Sequence, residues 1–483
     1  MISGSDFPVL DPWQYRLGER RDGDSIPLGS LWLSCGPDLP VIRVRDSGGA
    51  EVGVLLGFPI DLAGKRLLTS DWIAPDGAAD TDPLADRVLH ALGGRFLWIQ
   101  TTGGKTRIYP DCSAQVTCVW DTERPAIGST AHALLDDAAY EARFDHALYD
   151  RLGLDGEGWF PAGLTAHRGI ERLLPDHYLD AESRTAHRFW PRQAVPPVDP
   201  QAAVDEMIAL IRAQMEAIIG SDRRLGLALT GGHETRMLLA CARPFLDRID
   251  IVTVVGEDRH ATDTVIARRI VRDFGLRHLE LPRRQASDAE RQTFIRRGGH
   301  CNADSNSRFH PSMRPIARTH HFIGGLGGEV GRAFFWRGTD VPSTPITAEV
   351  LNARFGLPAV PELTGRLRDW LRDLPSTDAY GILDLAYLEH RNGPWYAAQF
   401  CTDPTLVRFA PIFTLRGVEL MLGLPPQWKR ESRLGHEIIR KLWPELLDYP
   451  FNSLGAWRDA LIKAQKVMAN PRLIVKKLRK MRR

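Results

Sequence analysis

The sequence has no apolar run that approaches the roughly 18–20 residues of a membrane-spanning helix. Its first residues also lack the charged and then apolar pattern of a secretory signal, so we expect a cytoplasmic protein. Cysteine is scarce, without the paired spacing of a zinc knuckle or the density of a disulfide framework. We therefore expect reduced and mostly buried thiols at Cys35, Cys112, Cys118, Cys241, Cys301 and Cys401.

An excess of charge is also lacking, since the formal net charge is only +2. A protein that neutralises many phosphates needs a strongly basic surface, so no nucleic-acid partner is expected. The exception is the acid-free segment "RLIVKKLRKMRR", residues 472–483. Contact with an anionic membrane surface and a solvated, frayed helix end both fit it, and we favour the second.

The 483 residues exceed one ordinary core and predict two units, since domains usually hold about 100–200 residues. The proline-rich stretch "FWPRQAVPPVDPQ", residues 189–201, is typical of a linker. We therefore predict domains at residues 1–190 and 201–460, followed by a basic tail at residues 461–483.

The first half contains short alternating segments typical of β-strands, between Val41 and about Tyr109. Two of them flank Gly103-Gly104 and predict a hairpin. The same turn reads "GGKT", which invites comparison with a phosphate-binding P-loop. That motif requires glycine where Ile99 stands and a helix after Thr106, so the hairpin is favoured.

The second half alternates strand and helix, which predicts crossover connections and a doubly wound parallel sheet. An amphipathic helix from Val204 to Ile218 comes first. Strands are expected at "RLGLALT", "IDIVTVV" and "RHLEL", with helices from about Glu234 and up to Gly275. Helical patterns dominate from Thr347 to Trp443.

Two glycine-rich turns stand out in this half. Thr230-Gly231-Gly232 follows a predicted strand and leads into a helix, an arrangement that suits an anion. Glu234 would repel phosphate unless a Mg²⁺ ion lay between them. The second turn, "IGGLGGEVGR", residues 323–332, repeats the design with Glu329 and Arg332. Either turn alone is equally explained as a tight strand-to-helix connection, but together they favour a nucleotide site.

"ALTGGHETRMLLA" resembles the pyrophosphate-binding loop of the asparagine synthase family, and "GGLGGEVGR" is similar to that family's second metal loop. "DTVIARRIVRDFGLRH", "FAPIFTLRGVELMLGLPPQWK" and "GIERLLPDHYLDAESRTAHRFW" resemble further family segments in the same order, over roughly residues 94–451. The resemblance implies an N-terminal αββα domain like that of N-terminal-nucleophile hydrolases and a C-terminal ATP-pyrophosphatase domain with a helical end. Asparagine synthetases and β-lactam synthetases share this arrangement.

The first domain departs from the family's glutaminase. In the family's glutaminase the nucleophile is a cysteine at residue 2, and the free α-amine serves as base. Residue 2 of this sequence is Ile2. The family's Asn-Gly oxyanion pair corresponds to Leu56-Gly57, although Asp111 matches a family residue. We therefore expect a degenerate domain that does not hydrolyse glutamine.

In the second domain the family's two metal-binding aspartates correspond to Glu234 and Glu329, which keep the charge and predict a Mg²⁺ site. Thr235 keeps the hydroxyl of the family's phosphate-binding serine. Arg236 and Arg332 clamp phosphate in one interpretation and are exposed helix residues in the other. The resemblance thus implies an ATP site at Leu229, Thr230, Gly231, Gly232, Glu234, Thr235, Arg236, Val254, Gly324, Gly325 and Arg332.

Further departures concern the substrate. Leu326 and Val330 replace acidic family residues in the second loop, and "LLDYPFNS", residues 446–453, lacks the lysine that stabilises the family's adenylation step. Whether Lys463 or Lys466 replaces it stays open. The sequence favours an ATP-dependent amide-forming ligase for a small-molecule or peptide carboxylate, without asparagine as product. A non-catalytic relative that binds nucleotide or a partner enzyme is the alternative.

Five residues near the second loop, His300, Cys301, His310, His320 and His321, invite a zinc interpretation. Their spacing matches no standard zinc site. Ordinary histidines beside a polar cleft are therefore favoured.

Overall fold

The computed structural model describes residues 7–452, apart from residues 22, 77–83, 155–157, 257, 259–260, 302–304, 376 and 398. Ile2 and the basic tail, with Lys463 and Lys466, lie outside the described residues, so neither the solvated helix end nor the membrane contact considered for the tail is tested. Among the helices that are described, none has the length and hydropathy needed to cross a membrane.

The first half is built mainly of short strands. Its elements are β1 (Tyr15–Gly18), β2 (Ile26–Leu28), β3 (Leu31–Cys35), β4 (Val41–Arg45), β5 (Glu51–Asp61), β6 (Arg66–Leu67), β7 (Trp72–Ile73), α1 (Leu84–Ala91), β8 (Leu92–Thr102), β9 (Lys105–Pro110), β10 (Val119–Asp121), β11 (Ala126–Gly128), α2 (Ala131–Leu134), α3 (Asp137–Arg143), α4 (His146–Leu152), β12 (Ile170–Arg172), β13 (His177–Asp180) and β14 (Thr185–Arg188).

These strands form two sheets. One has the order β12-β10-β11-β1-β3-β2, and the other has the order β14-β13-β9-β8-β5-β4-β7 with β6 paired to β5. Pairing is antiparallel except between β4 and β7. The predicted hairpin is confirmed, because Gly103 and Gly104 take φ values of 61° and 72° between β8 and β9, as a two-residue hairpin turn requires. The assignment of this half to the αββα class stays a prediction.

The second half alternates strands and helices as predicted. Its strands and α-helices are α5 (Pro200–Ile219), β15 (Arg224–Ala228), α6 (His233–Cys241), β16 (Ile249–Val255), α7 (Thr262–Phe274), β17 (His278–Pro282), α8 (Asp288–Arg297), α9 (Ser305–Phe309), β18 (His320–Ile323), α10 (Ala348–Phe355), α11 (Pro361–Asp373), α12 (Ala379–Ala386), α13 (Gly393–Ala397), β19 (Arg408–Phe409), α14 (Leu415–Gly423), α15 (Pro426–Arg430) and α16 (Arg433–Leu442). Short 3₁₀ helices lie at Arg243–Arg248, His310–Ile316, Gly328–Arg332 and Pro444–Asp448, and a π-helical segment lies at Tyr387–Asn392.

The five strands of this half form one parallel sheet with the order β17-β16-β15-β18-β19. From β15 the chain runs outward through β16 and β17, and then returns to the other side of β15 with β18 and β19. The strand order therefore reverses between β15 and β18. Ligands of open α/β sheets bind beyond the carboxyl ends of the strands at such a reversal.

The two halves share one apolar core, although the sequence predicts separate domains. The Trp13 ring lies 5.2 Å from that of Phe58 in the first half and 5.3 Å from that of Phe400 in the second. Phe58 in turn contacts Phe409 edge to face at 6.5 Å. Side chains from the sheets of the first half and from the parallel sheet of the second half belong to a single buried cluster. The linker before α5 therefore does not separate two independent cores.

Candidate functional site

The two predicted glycine-rich turns meet at the reversal of strand order. Leu227 of β15 pairs with Ile323 of β18, so the turns that follow these parallel strands leave the same edge of the sheet side by side. A Cβ atom on Gly325 would lie 2.7 Å from Cγ2 of Thr235, and one on Gly328 would lie 2.7 Å from Cγ of Glu234. Glycine at both positions therefore lets the second turn pack directly on the start of α6.

This packing brings the two predicted metal-binding carboxylates together around an arginine. The Arg332 Nη2 atom lies 2.6 Å from Oε1 of Glu234 and 3.1 Å from Oε1 of Glu329. The other oxygen of Glu329 accepts a 3.3 Å hydrogen bond from the amide of Gly327. The predicted carboxylate pair thus exists in the fold, with a guanidinium between its members.

The electrostatics of the pair favour an added cation. Burial first, and the charge of Glu329 second, raise the pKa of the Glu234 carboxyl, while Arg332 lowers it. The Oε1 atom of Glu234 is buried and, despite its short contact with Arg332, has no hydrogen bond of good geometry among the described residues. An underbonded carboxylate oxygen of this kind is a suitable ligand for a hard cation.

The first turn is held by its own side chains. The Thr235 hydroxyl accepts a 3.2 Å hydrogen bond from the amide of Thr230 and lies 3.0 Å from the Thr230 hydroxyl. The amide of Gly232 donates to that same Thr230 hydroxyl at 3.0 Å, and the amide of Gly231 donates to Oδ1 of Asp263 at 2.8 Å. Three successive amides of the turn are therefore paired with oxygen atoms of the protein, and a phosphate bound there would have to replace those oxygens.

Arg236 does not lie where the sequence placed it. Its side chain is fully buried, and it donates hydrogen bonds to the carbonyls of Tyr449 at 2.6 Å and Pro450 at 2.9 Å. The guanidinium carbon also lies 3.8 Å above the ring of Phe451. The interpretations of Arg236 as an exposed residue or a phosphate clamp are both wrong for this conformation, because the guanidinium faces the protein interior.

The segment that Arg236 holds lies on the first turn. The Phe451 ring stacks on that of His233 with centroids 4.0 Å apart and an angle of 3°. The amide of Asn452 donates a 3.0 Å hydrogen bond to the carbonyl of Gly231. This is the stretch that resembles the family's lysine-bearing segment, and residues 446–452 contain no lysine.

A cleft of about 910 Å³ opens beside the first turn, beyond the carboxyl ends of β16, β17 and β18. Val254, which is 40% exposed, lies on its wall together with Asp263, Arg283, Phe309 and Arg408. Since Asp263 also accepts from the first turn, the cleft and the turn are contiguous. Their combination offers space for a base and ribose beside an anion-binding turn.

Two further predicted residues act through the backbone. Leu229 is fully buried, and its amide donates to the carbonyl of Val252 at 3.0 Å. The amide of Gly324 donates to the carbonyl of Phe409 at 3.4 Å. Both residues anchor their turns to the neighbouring strand rather than present a side chain to a ligand.

Three features of the site were missed in the sequence. Asp263 stands in the first turn of α7, after the strand next to β15, and that placement was the available signal for it. The stacking of His233 on Phe451 had no local signal. Tyr387 opens the π-helical segment, a type of irregularity frequent at functional sites, and burial, followed by the charge of Glu329, raises the pKa of its phenol.

The residues of the suggested zinc group face different surroundings. The His300 ring lies 5.0 Å from that of Phe144, His310 stacks on Phe294 at 4.9 Å, and His320 contacts Asp250 at 3.0 Å. Within the described residues, no group of three or more histidine, cysteine or acidic side chains is arranged to hold a metal.

The residues that correspond to the glutaminase centre are enclosed. Leu56 is fully buried in β5, and Asp111 accepts hydrogen bonds from the amides of Phe96, Ser113 and Gln115. Burial raises the pKa of the Asp111 carboxyl to about 6. Asp111 therefore organises the loop after β9.

No family model and no curated protein matches the chain. Among solved structures, the chain has 13% identity and a TM-score of 0.20 to a glutamine-dependent NAD⁺ synthetase from Acinetobacter baumannii in complex with ADP, over 32% of this chain and 30% of that one. The chain has 14% identity and a TM-score of 0.18 to an NH₃-dependent NAD synthetase from Campylobacter jejuni, over 32% of this chain and 71% of that one. It has 8% identity and a TM-score of 0.21 to an NMN synthetase from Francisella tularensis, over 42% of this chain and 95% of that one. These likenesses are too slight to assign a family.

Proposed function

We propose that this chain is an ATP-dependent ligase that activates a carboxylate by adenylation and joins it to an amine. The observation that carries the proposal is the convergence of two glycine-rich turns at the reversal of strand order. Thr230, Thr235 and the carboxylates Glu234 and Glu329 meet there beside an open cleft. A triphosphate along the turns, with its nucleoside in the cleft, satisfies both features.

The chemistry divides into two transfers. A carboxylate oxygen of the substrate attacks the α-phosphorus of ATP, and the bond from that phosphorus to pyrophosphate breaks. An amine then attacks the acyl carbon, loses a proton, and releases AMP with the electron pair of the acyl C–O bond. In this proposal the amides and hydroxyls of the first turn exchange their protein oxygen partners for pyrophosphate, and the chain contributes orientation and electrostatic stabilisation.

Mg²⁺ fits this site when phosphate is present. Glu234 and Glu329 converge on a single nitrogen atom, and this convergence supports the proposal that one small cation contacts both. The described residues offer no third protein ligand, and Mg²⁺ commonly combines one or two carboxylates with substrate phosphates. Bound there, Mg²⁺ would neutralise phosphate charge, and Glu234 and Glu329 would hold it.

The amine does not come from glutamine in this proposal. The proposal gives the first half no glutaminase role, because Leu56, which the resemblance matches to the family's oxyanion pair, is fully buried. Ammonia or an amine of the substrate itself would take part, as in relatives that close lactams. The acid is a small-molecule or peptide carboxylate other than aspartate, since Leu326 and Val330 replace acidic family residues.

A non-catalytic nucleotide-binding protein is the second candidate. Phe451 and Asn452 lie on the first turn, and the segment that carries them contains no lysine. Without a cation near the α-phosphate, the charge that develops during adenylation is less stabilised. Such a protein would bind Mg-ATP and release no pyrophosphate.

Calorimetric titration with ATP, with and without Mg²⁺, tests both candidates. The Glu234→Ala and Glu329→Ala variants are expected to lose Mg-dependent binding, whereas Glu362→Ala, which removes a half-exposed carboxylate paired with Arg151, is the matched control. Pyrophosphate release with a panel of carboxylates then separates the ligase from the binding protein. Absence of ATP binding in the unmodified chain would contradict both.

A further inference from the structure

Arg332 occupies the place that the sequence assigns to a metal ion. One nitrogen of its guanidinium contacts an oxygen of Glu234 and an oxygen of Glu329, at 2.6 and 3.1 Å. A bridging divalent cation would contact the same two oxygens. Arginine and metal therefore cannot both hold the carboxylates in this conformation.

Other basic groups near the pair are committed elsewhere. Arg236 points to the carbonyls of Tyr449 and Pro450. The His233 ring stacks on that of Phe451 with centroids 4.0 Å apart. Arg391 lies over the ring of Trp159 at 4.1 Å. Arg332 is therefore the basic side chain that neutralises the negative charge of these two half-buried carboxylates.

The Arg332 guanidinium can also move away from the two carboxylates. Arg332 borders a cavity of only about 30 Å³, too small for a guanidinium, whose lining includes Met207, Met237 and Met421. Its own side chain is 28% exposed. The guanidinium can therefore leave the carboxylates toward solvent without repacking the core.

We propose that Arg332 is an internal counter-ion that competes with the divalent cation for Glu234 and Glu329 and releases them when phosphate offers it a new partner. The competition follows from the carboxylate contacts alone, whereas the transfer to phosphate rests on the proposed function. Guanidinium groups bind phosphate as well as carboxylate through paired hydrogen bonds. Metal and nucleotide would then strengthen each other's binding.

The competition is tested with Mn²⁺ alone and no nucleotide, by calorimetry or electron paramagnetic resonance on the full chain at pH 7.5. Removing the charge with Arg332→Gln, which keeps hydrogen-bond donors for the fold, is expected to tighten Mn²⁺ binding about tenfold or more. Arg332→Lys keeps the charge and should stay close to the unmodified affinity. Adding Glu329→Gln to Arg332→Gln should abolish the gain.

The matched control is Arg366→Gln. Arg366 is 35% exposed and pairs with Glu171 at 2.9 Å, away from the two turns. Its substitution should leave Mn²⁺ affinity unchanged. Circular dichroism checks the fold of each variant, and Arg332→Met replaces Arg332→Gln if the latter fails to fold.

Unchanged Mn²⁺ affinity in folded Arg332→Gln would overturn the counter-ion role, as would equal tightening in Arg332→Lys. ATP titrations separate this outcome from the fate of the proposed function. If neither the unmodified chain nor any variant binds ATP but Arg332→Gln binds Mn²⁺ more tightly, the nucleotide proposal is refuted and the competition is supported. If ATP binds in the presence of Mg²⁺ but Arg332→Gln has the same Mn²⁺ affinity as the unmodified chain, the competition is refuted and the nucleotide site is supported.

Discussion

Arg236 donates a 2.6 Å hydrogen bond to the backbone carbonyl of Tyr449, 213 residues further along the chain. The same guanidinium reaches the carbonyls of Leu446 at 3.3 Å, Gly231 at 3.3 Å and Pro450 at 2.9 Å. One buried cation thus ties the first turn of the candidate site to the segment that covers it. Burial lowers the pKa of this guanidinium to about 10, so it stays charged at neutral pH.

Arg236→Met is therefore expected to destabilise the fold by about 2–4 kcal/mol, because it leaves several buried carbonyls without a donor. Urea unfolding measures the change. Arg243→Met is the control, since Arg243 is exposed and donates to the single carbonyl of Leu442 at 2.9 Å. We expect the control to cost less than about 1 kcal/mol. Equal costs for the two variants would contradict the anchoring role of Arg236.

Gly325 and Gly324 give a matched pair of substitutions in the second turn. A Cβ on Gly325 would lie 2.7 Å from the Thr235 side chain, whereas one on Gly324 meets nothing closer than Phe322 at 3.8 Å. Gly325→Ala should destabilise the chain by about 1–3 kcal/mol by pushing the turns apart. Gly324→Ala should change stability by less than about 0.5 kcal/mol. Thermal unfolding of the two variants compares them directly, and the opposite ranking would refute the packing of the turns.

His167 predicts a pH dependence of stability. Its ring is buried 4.1 Å from that of Tyr140, and neither ring nitrogen has a hydrogen-bond partner among the described residues. Burial, followed by the charge of His300, lowers its pKa to about 3. The unfolded chain therefore binds a proton below about pH 6.5 that the folded chain refuses until about pH 3. Stability from this group is complete above pH 6.5 and is lost as the pH falls.

His167→Phe removes the titration and keeps an aromatic ring in the cluster. Between pH 8 and pH 5 the variant should lose about 2 kcal/mol less unfolding free energy than the unmodified chain. His146→Phe, at an exposed position, should lose as much as the unmodified chain. Parallel pH dependence of His167→Phe and the unmodified chain would show that folding does not lower the pKa of His167.

Elements with strong local signals were predictable from the sequence. The strand Ile249–Val255 and the end of α7 at Gly275 are confirmed, because a continuous apolar run and a glycine cap with φ of 63° are local properties. The two-residue strand β19 was missed inside a region expected to be helical. So short a strand has no periodicity and forms through its pairing with β18.

The candidate site divides in the same way. The turns and their carboxylates follow from glycine and charge at fixed spacing, and the sheet brings them together as expected. The orientation of Arg236 depends on residues more than 200 positions away, and that of Arg332 depends on the meeting of two turns. Long side chains take their direction from such tertiary neighbours, which a single sequence does not display.

The Thr235 hydroxyl offers the sharpest test of the first turn. It accepts a hydrogen bond from the Thr230 amide and contacts the Thr230 hydroxyl, so it orders the loop that would receive pyrophosphate. Thr235→Val keeps the shape of the side chain and removes the oxygen, and we expect about tenfold weaker pyrophosphate binding by calorimetry. Thr235→Ser restores the oxygen and should restore most of the affinity. If valine and serine bind pyrophosphate equally, the hydroxyl does not organise an anion site, and the nucleotide must be held by the carboxylate pair and its cation.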